Sequence, residues 1–147
     1  MATDYFNKWV EAIPTKRATD KVVMDFLENN IITRFGAPAK ITTDNAKSFS
    51  STEFTSFCFK YDIFLSHSSN YYPSGNGLAE SSNKKLINIL KKAFGNNKNS
   101  WDSKIKYALW DDRIIKKNAI GKTPFELVYG LIVSLPLYLQ LPTMNMF

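Results

Sequence analysis

Residues 40–44 read Lys40-Ile41-Thr42-Thr43-Asp44, a short β-branched run that ends on an acid. Branched side chains favour a pleated strand, and the aspartate marks where that strand stops. Helical patterns flank the run. Before it, Val22, Val23, Phe26, Leu27 and Ile31 form an apolar stripe behind Thr19, a hydroxyl residue suited to an N-cap, and Gly36 and Pro38 end the pattern. After it, Ser51 or Thr52 can cap a second helix that turns Phe54, Phe57, Cys58 and Tyr61 inward, and Ile63 to Ser66 reads as a further strand. Strands alternating with helices predict an α/β domain.

Further out, Ala2 to Phe6 and Trp9 to Ile13 read as the two arms of a hairpin ended by Pro14. Downstream, Asn70 to Gly77 contains two Asn, two Gly, Pro73 and Ser74, which predicts a mobile loop. A third helix is expected from about Leu78 to Phe94, with Leu86, Ile89, Leu90 and Ala93 inward. Gly95 to Ser100 is a polar break, and a fourth helix begins at Trp101 with Ile105, Ala108 and Leu109 inward. Thr123, Pro124 and Glu126 form a capping box with proline at the first helical position. We expect one domain over residues 1–130 and a tail over 131–147, with no internal repeat.

Composition narrows the function classes. The chain has 147 residues, enough for one real core, and its 44% hydrophobic content with eleven Phe, seven Tyr and three Trp argues against disorder. Cys58 and His67 are each the only residue of their type, so disulfide frameworks, cysteine zinc sites and histidine-pair metal motifs are excluded. No signal-like apolar run follows Met1, and the greasiest stretch, Leu131 to Leu141, is too short to span a bilayer and contains Pro136. A soluble intracellular protein with no membrane partner is expected. The net charge of +6 is lopsided: eight basic and eight acidic residues precede Glu80, whereas eleven basic and five acidic ones lie from Glu80 onward. A basic half suits a polyanion such as nucleic acid, although a solvated lysine-rich surface gives the same count.

Two acids stand out by context. Asp44 ends a strand and is followed by the small residues Asn45 and Ala46, and Glu80 opens a helix directly after the flexible loop. If that helix packs on the sheet, the two carboxylates can converge and hold a hard divalent ion such as Mg²⁺. Each also has a purely structural explanation. Glutamate in a first helical turn complements the helix dipole, and aspartate at a strand end forms turns. Spacing leaves the choice open.

The surrounding blocks are more specific. They are Asp4-Tyr5-Phe6-Asn7-Lys8-Trp9-Val10-Glu11-Ala12, Arg34-Phe35-Gly36-Ala37-Pro38, Thr43-Asp44-Asn45 with Phe49 beyond, Tyr72-Pro73-Ser74-Gly75-Asn76-Gly77-Leu78-Ala79-Glu80-Ser81-Ser82-Asn83, and Thr123-Pro124-Phe125-Glu126-Leu127-Val128-Tyr129-Gly130. In this order they span nearly the whole chain, which resembles the integrase catalytic core of gypsy-type long-terminal-repeat retrotransposons. That resemblance implies a ribonuclease H-like fold, a mixed sheet flanked by helices, and three carboxylates holding Mg²⁺ or Mn²⁺ for phosphoryl transfer on DNA. Asp44 matches the second Asp and Glu80 the Glu of that set. The first Asp belongs to a central strand that precedes Met1 in the family's order, and Asp4 matches a hairpin turn instead. An N-terminally truncated, metal-poor and inactive chain is therefore expected, with its hairpin poorly joined to the rest. Ala46 stands where the family has Gly; if that position needs φ > 0, alanine is strained by roughly 1 kcal/mol.

The resemblance also orders the basic residues. Glu80, Asn83, Lys84, Ile87 and Lys91 share one helical face, so Asn83, Lys84 and Lys91 would lie along DNA backbone, with Lys47 beside Asp44. Tyr71 and Tyr72 are expected either to stack on a frayed end or to pack beneath their loop. Trp101, Trp110 and Cys58 are expected in core or interface positions without chemistry. A homodimer through the 101–117 helix and a nuclear location are further expectations. Two rival readings remain: a non-catalytic DNA-binding or integrase-pairing module, and a ribonuclease H-type nuclease, against which the Thr123–Gly130 block argues.

Overall fold

The computed structural model describes residues 1–68, 77–94 and 101–133; of residues 78–80, 90, 92–94 and 101–103 it describes the backbone alone. The Asn70–Gly77 loop up to residue 76, the break at 95–100 and the apolar tail from residue 134 lie outside the described residues. The elements follow in the order β1 (Ala2–Thr3), β2 (Val10–Glu11), α1 (Asp20–Leu27), a π-helical turn (Glu28–Ile32), α2 (Thr33–Phe35), β3 (Lys40–Thr43), a 3₁₀ turn (Lys47–Phe49), α3 (Thr52–Lys60), β4 (Phe64–His67), α4 (Gly77–Phe94), α5 (Trp101–Ile114) and α6 (Pro124–Tyr129).

Helix ends follow the local chemistry. The Thr19 side chain accepts from the Val22 N–H, the Ser51 hydroxyl accepts from the Phe54 N–H at 3.1 Å, and Gly36 closes α2 with φ of +89°. At α6 the capping box is complete: the Thr123 N–H donates to Glu126 Oε2 at 2.7 Å and the Glu126 N–H donates to Thr123 Oγ1 at 3.0 Å. The backbone bond from Thr123, with its side-chain bond second, holds the Glu126 carboxyl below the usual carboxylate range. The stabilisation from this box is present above the unfolded carboxylate pKa of roughly 4.3, and is lost as pH falls through the lower folded value. Thr123→Ala is expected to cost about 1 kcal/mol in urea unfolding; no change in the midpoint would show that α6 is held by packing alone.

The strands are shorter than their hydropathy suggests, for an identifiable reason. Asp4 Oδ1 accepts from the Phe6 and Asn7 N–H groups at 2.9 and 2.8 Å, Asn7 Oδ1 accepts from the Trp9 N–H, and Lys8 takes φ of +62°. These side-chain bonds close a tight turn over residues 4–8, leave two paired residues in each arm, and expose Tyr5 and Phe6. The expected strand at Ile63–Ser66 is displaced to Phe64–His67 because Asp62 exits α3 at φ of +55° and the Ile63 N–H still bonds back to Cys58.

β1 and β2 pair antiparallel, and β3 and β4 pair parallel in the register Lys40↔Phe64 to Thr43↔His67. Among the described residues no strand bridges the two pairs, so the mixed layer is split into two two-stranded sheets. They nevertheless share one helical layer. Ala2 and Ile13 from the hairpin segment and Ile41 and Leu65 from the parallel pair all pack against the cluster of Phe26, Leu27, Phe54, Cys58 and Ile63. The opposite face of the hairpin, Val10 and Ala12, packs with Leu86 of α4 and Ala108 and Leu109 of α5. The result is an α/β/α arrangement with α1 and α3 on one side and α4 and α5 on the other. Burial pushes the Cys58 thiol pKa up, as befits an inert core residue.

The expectation of a poorly joined hairpin is wrong. Trp9, Val10, Glu11 and Ala12 are all buried, and Glu11 is the reason the arm is anchored. Its Oε1 accepts from Trp9 Nε1 at 2.8 Å, from Arg34 at the end of the first helical segment at 2.6 Å, and from Arg113 of α5 at 2.9 Å. Arg113 also donates to the Val10 carbonyl at 2.9 Å and lies 4.2 Å over the Trp9 ring, whose edge contacts involve Phe35 and Tyr129. Burial pulls the Arg113 pKa down, and the facing Glu11 charge opposes that shift.

Candidate active site

Asp44 follows the last residue of β3 and is exposed. Side chains alternate along a strand, and Ile41 and Thr43 face the α1/α3 layer, Thr43 being 7% exposed. Lys40 and Thr42 therefore belong to the opposite, open face, and Asp44, next in that alternation, lies just past the strand end. The Asp44 carboxylate turns over its own backbone: Oδ1 accepts from the Ala46 N–H at 3.1 Å. Ala46 itself has φ of −63° and ψ of 144°, ordinary extended backbone, so the strain expected there is absent. Lys47 begins the 3₁₀ turn that follows and is exposed three residues beyond Asp44.

Glu80 lies in the first turn of α4 by its backbone, as expected, and its side chain lies outside the described residues. Asn83, Lys84 and Lys91 are exposed along α4 with Ile87 at 41% exposure, whereas Leu86 and Ile89 pack inward. That division gives α4 a buried seam and a solvent-facing cationic face, as the spacing implied. Tyr71 and Tyr72, expected to stack on a nucleic-acid end, lie outside the described residues, as do the side chains of Leu90, Ala93 and Trp101. Trp110 is 41% exposed and sits edge-on to Phe125 at 5.9 Å, so it is not a core residue.

A divalent ion of the Mg²⁺ kind takes hard oxygen ligands, and an exposed aspartate at a strand end is the right donor type. Among the described residues no three Asp, Glu, His or Cys side chains gather into a fuller ligand set. Asp4 offers no remedy, since it is exposed at the hairpin tip with its carboxylate taken by two turn amides. One residue at this end of the sheet escaped the sequence reading. His67 pairs with Thr43 on the last rung of β3–β4, and its Nδ1 lies 3.0 Å from Thr43 Oγ1. A lone histidine carries no metal spacing, and only strand register could have found it.

No described helix is long and apolar enough to cross a membrane. Residues 1–73 match the family described as "Integrase core domain". Over 128 residues the chain is 34% identical to the Gag-Pol polyprotein of avian reticuloendotheliosis virus, covering 87% of this chain and 11% of that one. Over 146 residues it is 27% identical to the transposon Tf2-3 polyprotein of Schizosaccharomyces pombe, covering 99% of this chain and 11% of that one. The chain thus spans about a tenth of the length of these polyproteins. The solved HTLV-2 integrase catalytic core domain in complex with magnesium, in a trimeric form, superimposes with a TM-score of 0.66 at 32% identity, covering 84% of this chain and 79% of that core. The same core is also solved in a dimeric form.

Proposed function

Because this chain belongs to the integrase core family of retroviruses and long-terminal-repeat retrotransposons, with the ribonuclease H-like fold of that family, we propose that Asp44 and Glu80 are two acidic ligands of a divalent ion, Mg²⁺ or Mn²⁺, in a site for phosphoryl transfer on DNA. The observation that supports this reading is one of sidedness. Ile41 packs in the same cluster as Ala2 and Ile13, so residue 44, next in the alternation after Thr42, falls on the other side, and α4, which carries Glu80 in its first turn, packs on Val10 and Ala12 of the opposite hairpin face. A strand end and a helix start on one side of a sheet are suited to meet over one ion.

Held by Asp44 and Glu80, such an ion would supply Lewis-acid activation of the attacking oxygen and charge stabilisation of the leaving one. The chain's own contribution is the frame. Asp44 and Glu80 hold oxygen ligands in place without acting as nucleophiles. Lys84, Lys91 and Asn83 on the exposed face of α4, with Lys47 beyond Asp44, carry the phosphate backbone past them, which positions DNA without reading its sequence. Tyr71 and Tyr72 stack on an opened end. In the complete reaction water cleaves near a 3′ end, and the freed hydroxyl attacks a target phosphodiester. Exposed Tyr107, Trp110 and Ile115 on and after α5 support a homodimer through the 101–117 region. Chromosomal DNA as target implies a nuclear site of action.

A second reading is a non-catalytic module that binds DNA or pairs with other integrase chains, which the exposed cationic face of α4 and the exposed aromatics of α5 would serve without a metal. Mn²⁺ titration of ¹⁵N-labelled protein separates the two. Paramagnetic broadening should centre on the Asn45 and Ala46 amides, and Asp44→Asn should raise the Mn²⁺ concentration required by more than about tenfold. Broadening that ignores Asp44→Asn would leave the non-catalytic reading.

A further inference from the structure

We propose that His67 is a positioning residue for Asp44, holding the end of β3 through Thr43; this rests on the reading of Asp44 as a metal ligand. Three bonds tie the residues on either side of Asp44 to the exit of β4. His67 Nδ1 lies 3.0 Å from the Thr43 hydroxyl, the Ser68 N–H donates to the Thr43 carbonyl at 2.8 Å, and Asn45 Nδ2 donates to the Ser68 carbonyl at 3.4 Å. The Asp44 residue is the span between those ties.

His67 acts at one remove. Parallel register sets it beside Thr43 on the α1/α3 face, and alternation puts Asp44 on the other face. What reaches Asp44 is the backbone. That leverage matters because β3 pairs only with β4 among the described residues, over four rungs. The end of so short a ladder frays readily unless side chains close it. The Thr43 hydroxyl is largely buried and serves as donor or acceptor, so it suits either imidazole tautomer. Removing the ring nitrogen leaves that hydroxyl without its partner, which costs part of the strand end's order.

The experiment uses the Mn²⁺-broadening titration of Asn45 and Ala46 on the full chain and four variants: His67→Leu, Thr43→Val, His67→Asn and Asp44→Asn. Asparagine keeps a polar atom where Nδ1 stands, and leucine fills similar space without one. Titrations run at a temperature where every variant gives a folded amide spectrum. His67→Leu and Thr43→Val should each need about three to ten times more Mn²⁺ for half-broadening, the scale of one lost hydrogen bond, and His67→Asn should match the parent. A His67→Leu curve equal to the parent's, or a His67→Asn curve as weak as that of His67→Leu, overturns the positioning role. If Asp44→Asn leaves the broadening unchanged, the metal reading itself falls and this role falls with it. Loss of broadening in Asp44→Asn beside an unaffected His67→Leu removes the positioning role alone.

Discussion

Replacing Glu11 with alanine should lower the unfolding free energy by about 3–5 kcal/mol, read from urea denaturation, a large share of the stability of a domain this size. The loss comes less from the bonds removed than from what stays behind. Arg113 is 15% exposed at its side chain and stacked on Trp9, and without Glu11 it keeps a buried positive charge with a backbone carbonyl as its remaining described acceptor. Arg34 is 40% exposed and regains water, so Arg34→Ala should cost far less. Glu11→Gln keeps an acceptor for Trp9 and both guanidinium groups but removes the charge, and should fall between. A Glu11→Ala loss below about 1 kcal/mol would mean that the apolar packing of Val10 and Ala12 holds the hairpin unaided.

Charge reversal on α4 should have the largest effect on nucleic acid. With Lys84→Glu and Lys91→Glu combined, affinity for duplex DNA at low salt should drop about a hundredfold. The slope of log affinity against log salt should become shallower by about two, because each lysine removed from a phosphate releases one counterion fewer. Both side chains are exposed, and α4 packs through Leu86 and Ile89, so the fold should be untouched. The loss should be alike for different DNA sequences, since backbone contacts carry no base information. An unchanged salt slope would show that this face does not meet DNA.

Local chemistry made much of this protein legible from its sequence. The caps at Thr19 and Thr123, the stop at Gly36 and the turn closed by Asp4 each depend on groups within about four positions of one another, so residue types and spacing were enough to place them, whereas the second helix's cap stayed open between Ser51 and Thr52 until the structure showed Ser51. The inward stripes of the first two helices and of α5 were legible because a 3.6-residue period shows which face needs burial. The blocks around Asp44 and Glu80 pointed to the integrase core, and comparison with solved cores bears that out.

Tertiary structure alone decided the rest. Glu11 looks like any surface acid until the fold brings in Arg34 and Arg113, 23 and 102 positions away, and a charge buried at such range leaves no local pattern. The hairpin was expected to be loose for want of a neighbouring central strand, and this buried cluster, invisible in the sequence, anchors it instead. The Thr43–His67 bond likewise depends on which rungs of β3 and β4 align, a register set when α3 and the turn at Asp62 place the second strand. Local bonding is written residue by residue, whereas burial and register arise only when distant segments share one core.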